Sequence, residues 1–468
     1  MKDTLQSLGY SLYEESLQEA NGSQFAIARG EGTRHLIVQG QAASAFQGEA
    51  KDDLIICPLS VENAKILGQY FDYIIPIARP EHKKFSMGFG DRLGLATPGH
   101  IQAIRNYDVF PVFAQQSIRE LSLSKRNYEE VIAAASFAVF QTQYKEGFGG
   151  DGDHLKTEEE IQYALDCGMT MITLDCSEHI QNEVDIADYQ NLDADIKRHY
   201  EERYLAKTLP IIGEVTEEEL QLFVLVFHKA VEHAISISKF LKSQDKPVNL
   251  EVSIDETPGE TSPLQHYIIA QELIDAEVEV SSMAPHFSGA FEKGVDYQGD
   301  VEKFTQELRV HQEIAEYFGY RLSLHSGSDK FTVFPIWGEI TKMASHVKVA
   351  GTNWLEALRV VAEVEPELFR GALAYAMEHR GEAEQYYHIS SKVSDIVPLD
   401  QRSNEELPMY LEEDAARQTL HITYGLLLAE EFFRAPFFAC LEAHENLYSE
   451  FLAAHMGKHL EGLFERLQ

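Results

Sequence analysis

Positive charge is what this chain has least of. Against 76 Asp and Glu there are 39 Lys and Arg, a formal net charge of −37 over 468 residues. Nucleic acid and anionic membrane surfaces need a positive face, so both are disfavoured as partners. A small anionic substrate is not, because a few local basic residues suffice to hold one. Cysteine is also scarce. Cys57, Cys167, Cys176 and Cys440 show neither paired nor metal-like spacing, which fits a reduced cytoplasm and argues against zinc held by thiolates. The first residues, Met1-Lys2-Asp3-Thr4-Leu5-Gln6, lack the basic-then-apolar layout of a secretory signal. No apolar run reaches transmembrane length. There is no G-x-x-x-x-G-K-[ST] loop and no G-x-S-x-G elbow, and Gly88-Phe89-Gly90 is too short for a dinucleotide fingerprint. Nucleotide hydrolysis, an esterase-type serine nucleophile and a nicotinamide site therefore have no motif to rest on.

What is present is an alternation of short apolar runs and longer helical patterns. Phe25–Arg29 and His35–Gln39 read as an appended hairpin within residues 1–50. Runs follow at Leu54–Cys57, Tyr73–Ala78, Phe110–Ala114, Met169–Leu174, Val248–Ile254, Val278–Ser282, Arg321–Leu324 and His346–Ala350. Helical segments lie between them. One opens on the capping box Thr216-Glu217-Glu218-Glu219, and Val301–Phe318 ends at Gly319. This order predicts an α/β fold, a (β/α)8 barrel over 51–353, with an open doubly wound sheet as the alternative. Residues 354–468 read as a helical extension packed on the barrel.

In such folds ligands bind beyond the carboxyl ends of the strands, and here those positions are polar. A glycine-rich stretch, Gly147-Phe148-Gly149-Gly150-Asp151-Gly152-Asp153-His154, reads as a stiff turn ahead of the helix opened by Thr157. Met283-Ala284-Pro285-His286 and His325-Ser326-Gly327-Ser328-Asp329-Lys330 follow two other runs. His154, His286 and His325 thus occupy comparable places on three elements, the pattern of a divalent-metal site with open positions. Asp175 and Glu256 are alternative ligands. Asp153 and Glu256 are the candidate acid–base pair, since chemistry beside a carbonyl needs one group to take a proton and another to return it. Lys330 in its Ser/Gly turn, with Arg79, Asp91 and Arg92 from the local basic excess between residues 79 and 92, is the candidate set for an anionic substrate.

At these residues the chain resembles the tagaturonate epimerase family. The resemblance rests on Phe89-Gly90-Asp91-Arg92-Leu93-Gly94-Leu95-Ala96-Thr97-Pro98-Gly99-His100, on Asp153-His154-Leu155-Lys156-Thr157, on Thr170–Ser177 and on Leu324–Phe331. It implies a barrel enzyme that interconverts D-tagaturonate and D-fructuronate with a divalent cation. His154, His286 and His325 would be metal ligands, Asp153 the proton acceptor and Glu256 the proton donor. Three histidines with oxygen donors accept zinc, nickel, cobalt, manganese or iron. The competing readings are a metal-dependent aldolase or ketose–aldose isomerase, and a non-catalytic sugar-acid or metal binder. A homo-oligomer is left open.

Overall fold

Eight strands close into a parallel barrel in strict chain order: β1 (Ser86–Gly90), β2 (Phe110–Ser117), β3 (Gly149–Leu155), β4 (Met171–Asp175), β5 (Asn249–Ile254), β6 (Val280–Pro285), β7 (Arg321–Leu324) and β8 (Ser345–Val349). The computed structural model describes all residues but Glu256, Pro258, His388 and Gln468. Closure is made by β8 against β1, through His346↔Ser86, Val347↔Met87, Lys348↔Gly88 and Val349↔Phe89. Helices separate successive strands, among them Thr97–Ile104, Tyr128–Thr142, Glu158–Cys167, Pro263–Asp275, Val301–Phe318 and Phe334–Thr341. The fold is therefore the expected (β/α)8 barrel, and closure excludes the open sheet.

Two expected strands lie outside the barrel. Leu54–Cys57 pairs antiparallel with Thr33–Gly40 and Glu49–Lys51. It belongs to a six-stranded N-terminal sheet built around the paired strands Ser23–Gly30 and Thr33–Gly40. The expected hairpin is thus the centre of a larger sheet whose last strands run past residue 50. Tyr73–Ala78 is not a strand: a 3-10 turn covers Asp72–Ile74, and Ile75 and Ile77 are exposed. The strand it displaced is β1, which reads as a polar glycine loop yet is buried at all five residues. Its glycines are there for close approach. A Cβ on Gly88 would stand 1.6 Å from Gln115 Oε1, and one on Gly90 2.8 Å from the Ala350 Cβ. The glycine-rich stretch is likewise strand β3 rather than a turn. A Cβ on Gly152 would crowd Leu155 at 2.8 Å and Ala164 of the next helix at 3.1 Å.

One helix, Glu217–Lys242, is long and apolar enough by length and composition to cross a membrane, but 56% of its apolar window is buried inside the protein. Leu220, Phe223, Val224 and Phe227 are among its core residues.

The C-terminal helices gather a second core around Trp354, Tyr424, Phe433 and Phe437. The last of them, Glu445–Phe464, lies on the barrel helices Thr97–Ile104 and Phe334–Thr341. The approach is close enough that a Cβ on Gly338 would stand 1.8 Å from the Leu463 carbonyl oxygen. On an open helix face Gly→Ala stabilises by up to about 1 kcal/mol. Gly338→Ala is expected to reverse that sign and cost about 1–3 kcal/mol by overpacking, read as a fall in Tm. A raised Tm would mean that the two helices do not meet this closely.

Candidate active site

Alternate residues of a strand face opposite ways, so Asp153 and His154 should not both reach the barrel mouth. A bulge lets them. Ile172 pairs with Gly152 and Leu174 with Leu155, so two residues of β3 oppose one of β4. His154 takes the left-handed conformation at φ 54°, a strained geometry for a non-glycine residue of the kind that collects at functional sites. Ser326, just past β7, does the same at φ 50°. The outcome is a cavity of about 570 Å³ lined by Asp153, His154, Asp175, Asp255, His325 and Lys348 among others, within the usual size of a small-molecule site.

Beneath it lies an ionic network that the apolar runs concealed. Lys348 of β8 extends its ammonium to Asp153 Oδ1 at 2.6 Å, Asp151 Oδ2 at 2.9 Å and Glu251 Oε1 at 3.1 Å, and it also donates to Thr173 Oγ1. Glu251 accepts from Ser282 Oγ at 2.6 Å and pairs with His325 Nε2 at 2.7 Å. Burial alone would discharge Lys348, but the three carboxylates outweigh it and hold the ammonium well above its usual range. The acids around it separate. Burial pushes Asp151 up to about 6, with Asp153 and Glu251 adding repulsion and Lys348 offsetting only part. For Asp153 burial acts the same way, yet Lys348, His154 and His325 prevail and hold it at about 2. Neighbouring carboxyls pushed apart in this way are how one site keeps an acid and a base at the same pH.

His325 and His286 each have one ring nitrogen fixed. His325 Nε2 faces Glu251, while its buried Nδ1 faces Asp255 Oδ2 at 3.0 Å without the alignment of a hydrogen bond. His286 Nδ1 donates to the Thr257 carbonyl at 2.9 Å, so Nε2 is the nitrogen left to face a ligand. This outer bonding is the usual arrangement of metal-binding imidazoles. His154 stacks edge-on to His325 with ring centroids 4.9 Å apart, and its Nδ1 is 3.8 Å from Asp175 Oδ2. His286 lines an adjoining cavity that shares Asp255 and His325 with the first. Burial opposes charge on His325, but Asp255 and then Glu251 raise it to about 10, so the site already stabilises one positive charge at that position. Imidazoles and carboxylates side by side at the barrel mouth are a donor set that suits a divalent cation.

The spacing is looser than a closed coordination sphere. Among the described residues, one group of three His, Cys, Asp or Glu has all its ligand atoms within 4.8 Å, and it is Asp329, His455 and His459. Its three side chains are already hydrogen-bonded within the protein. His459 Nδ1 donates to the His455 carbonyl at 3.0 Å, and its Nε2 accepts from the Asp329 N–H at 2.9 Å. Asp329 binds His455 Nε2 at 2.7 Å and Arg417 Nη2 at 2.8 Å. These bonds tie the C-terminal helices to the loop after β7, which carries His325.

The candidate substrate residues part company. Arg92 lines the cavity, its Nε and Nη2 on Glu120 Oε1 at 2.9 and 2.7 Å and its guanidinium 3.9 Å over the Tyr424 ring. Asp91 accepts the N–H groups of Leu93, Gly94 and Ala96 at 2.8–3.0 Å and so shapes the turn that carries Arg92. Lys330 lies beside the cavity, but its ammonium donates to the carbonyls of Glu292, Val295 and Ser328 at 2.6–2.9 Å. It fastens two loops with all three protons. Arg79 is at the other end of the barrel: its backbone N–H meets Asn249, the first residue of β5, and its side chain donates to the Pro80 and Lys83 carbonyls. Glu256 lies outside the described residues. The residues that sequence reasoning missed are Asp151, Glu251, Asp255 and Lys348, with Lys293 from the loop after β6 and Tyr387 and His421 from the extension. A lysine and a glutamate interrupting apolar runs were the available signal for Lys348 and Glu251.

A closed barrel whose acids and imidazoles gather at the carboxyl ends of its strands has the build of a (β/α)8 enzyme active site, and the comparisons agree. The chain matches the model of UxaE, tagaturonate epimerase, over residues 13–463. It is 36% identical over 467 residues to the tagaturonate/fructuronate epimerase of Thermotoga maritima, 97% of each chain being covered. Crystal structures of fructuronate-tagaturonate epimerase from Cohnella laeviribosi, one glycerol-complexed and one native, superpose with TM-scores of 0.96 at 44% and 43% identity. Each match covers 99% of this chain and 98% of the other. The chain belongs to the tagaturonate epimerase family and is an isomerase.

Proposed function

We propose that this enzyme interconverts D-tagaturonate and D-fructuronate by inverting C4, through cleavage and re-formation of the C3–C4 bond. The observation that carries the reading is the shared cavity. One set of residues, Asp153, His154, Asp255 and His325, suits hydroxyls and a cation, while Arg92 and Lys293 suit a carboxylate. C4 is not adjacent to the C2 ketone, so its hydrogen is not acidified and simple deprotonation there is unassisted. Asp153, ionised at neutral pH, takes the C4 hydroxyl proton, and Glu256 is its proposed acid–base partner. Glu251 and the Thr257 carbonyl orient His325 and His286. His154, His286 and His325 would hold a divalent cation, and a cation bound there would supply Lewis-acid polarisation of the substrate's ketone. Arg92 is the proposed carboxylate contact; the bonding of Lys330 and the position of Arg79 leave neither free for it.

The test is D-tagaturonate incubated with the metal-loaded protein and followed by NMR. D-Fructuronate should accumulate to equilibrium, stop after chelation and resume on adding a divalent ion. Release of three-carbon fragments would favour the aldolase reading, and binding without conversion the non-catalytic one. His286→Ala should lose bound metal by elemental analysis, lose turnover and keep its circular dichroism. Full metal content in that variant would remove His286 from the site.

A further inference from the structure

Buried polar atoms almost always have a partner, so each exception asks for an explanation. Several exceptions here line one wall of the catalytic cavity. His421 is 1% exposed, and neither Nδ1 nor Nε2 has a hydrogen-bond partner among the described residues. The Tyr387 hydroxyl and Arg92 Nη1 are buried and equally unpartnered. All three residues line the cavity, beside Lys293 and Arg119. His421 and Tyr387 come from the C-terminal extension, not from the barrel, and the mechanism proposed above uses neither.

We infer that Tyr387 and His421, together with Arg92 and Lys293, form the subsite for the substrate's terminal carboxylate, so that the C-terminal extension sets the preference for a sugar acid over a neutral sugar. The inference rests on the uronate reading above and adds the residues that select it. Arg92 has one face on Glu120, so its net charge is largely matched and its free Nη1–H is a directional donor. Lys293 donates to Ser326 Oγ at 3.0 Å and, among the described residues, makes no second hydrogen bond, which leaves its other protons for a ligand. Burial weakens its charge, with Arg92 and Arg119 adding repulsion and Glu120 opposing them, so an incoming carboxylate relieves a cationic cluster. Burial, then Arg92 and Lys293, hold His421 neutral. A neutral imidazole has one N–H to give and one lone pair to receive, which suits a carboxylate oxygen and a neighbouring hydroxyl at once. The ring is placed by Gly351: a Cβ there would stand 1.9 Å from His421 Cε1.

The experiment compares D-gluconate, a six-carbon carboxylate, with sorbitol, its neutral counterpart, as inhibitors of D-tagaturonate turnover. In Tyr387→Phe and His421→Asn, the KM for tagaturonate and the Ki of gluconate should both rise about tenfold, the size of one lost charge-assisted hydrogen bond at roughly 1.4 kcal/mol. The value of kcat and the Ki of sorbitol should stay within about threefold, or roughly 0.7 kcal/mol. Gly351→Ala, which displaces the ring without deleting it, should reproduce the His421→Asn pattern. The inference is overturned if gluconate and sorbitol weaken together, if kcat falls while KM and the gluconate Ki hold, or if nothing changes. Gluconate binding to wild type and variants by titration calorimetry gives the same comparison without turnover. Loss of gluconate affinity in the variants of a protein that fails to convert tagaturonate would uphold the subsite and reject the assigned reaction.

Discussion

Lys348→Met should nearly abolish turnover and also destabilise the protein. The variant leaves Asp151, Asp153 and Glu251 buried around a methyl group where an ammonium stood. Breaking a buried ion pair by removing one partner costs about 3–5 kcal/mol. Three carboxylates cannot all stay ionised there, so protons return to the site and Asp153 rises from about 2. The fraction of Asp153 able to act as a base at neutral pH falls accordingly, and kcat/KM should drop on the order of 10³-fold, within the range of general-base contributions. The pH dependence of stability gives an independent readout. Asp153 has a folded value below its ordinary 3.8, so its stabilisation is present above pH 3.8 and lost as pH falls through about 2. Asp151 works in the opposite sense. Its value is raised to about 6, so its contribution is present below 3.8 and lost as pH rises through about 6. Without Lys348 both acids shift upward, so the fall in Tm should be larger at pH 7.5 than at pH 5. Lys348→Arg separates charge from position: it should recover most of the stability and little of the activity, because the planar guanidinium cannot reach three carboxylates as a compact ammonium does. Wild-type kcat/KM in Lys348→Met would remove the network from the chemistry.

Most barrel strands announce themselves as apolar runs, because strands of a parallel sheet are buried on both faces. The two that did not, β1 and β3, are built on glycine. Gly88, Gly90 and Gly152 face neighbours too close for a Cβ, and a residue chosen for what it lacks leaves no hydrophobic signal. Tyr73–Ala78 shows the converse, an apolar run whose Ile75 and Ile77 remain exposed. At the site, His325 and Arg92 were legible because they follow strands, where the fold puts ligands, whereas Asp153 and His154 stood out only as ionisable groups in a glycine-rich stretch and lie within β3 itself. Lys348 and Glu251 sit within strands, and their meaning appears only when the barrel closes and brings β3, β5 and β8 around one ammonium. Lys330 misled for a related reason: whether a lysine is free depends on carbonyls supplied by another loop, Glu292 and Val295, which spacing does not reveal. Tyr387 and His421 lie far along the chain in a segment that reads only as helices and breaks, and only tertiary packing carries them to the cavity.

Asp153→Asn should lower kcat by about 10²–10⁴-fold, the usual worth of a general base, with the fold and the Lys348 contact retained. What the lost proton transfer accomplished is then decided at C4. If Asp153 takes the C4 hydroxyl proton, the C3–C4 bond breaks and its electron pair passes to the C1–C3 fragment as an enediolate. The C4–C6 fragment becomes an aldehyde, turns its other face and is attacked again, and the proton returns to the C4 oxygen. The hydrogen on C4 never leaves its carbon. Substrate deuterated at C4 and turned over in light water should therefore keep its deuterium completely, with a rate ratio near unity and a 13C isotope effect at C3 and C4. Hydride removal and return would show a large primary deuterium effect and need a bound nicotinamide. Deprotonation at C4 would wash the label into solvent. A large primary effect would sink the cleavage route, and Asp153 would then steer the C4 hydroxyl while another group takes the hydrogen. Label retained in the wild type, with residual turnover of Asp153→Asn independent of added carboxylate, would leave cleavage standing and move the base elsewhere. Rescue of that variant by formate or acetate would place the proton transfer on Asp153 itself.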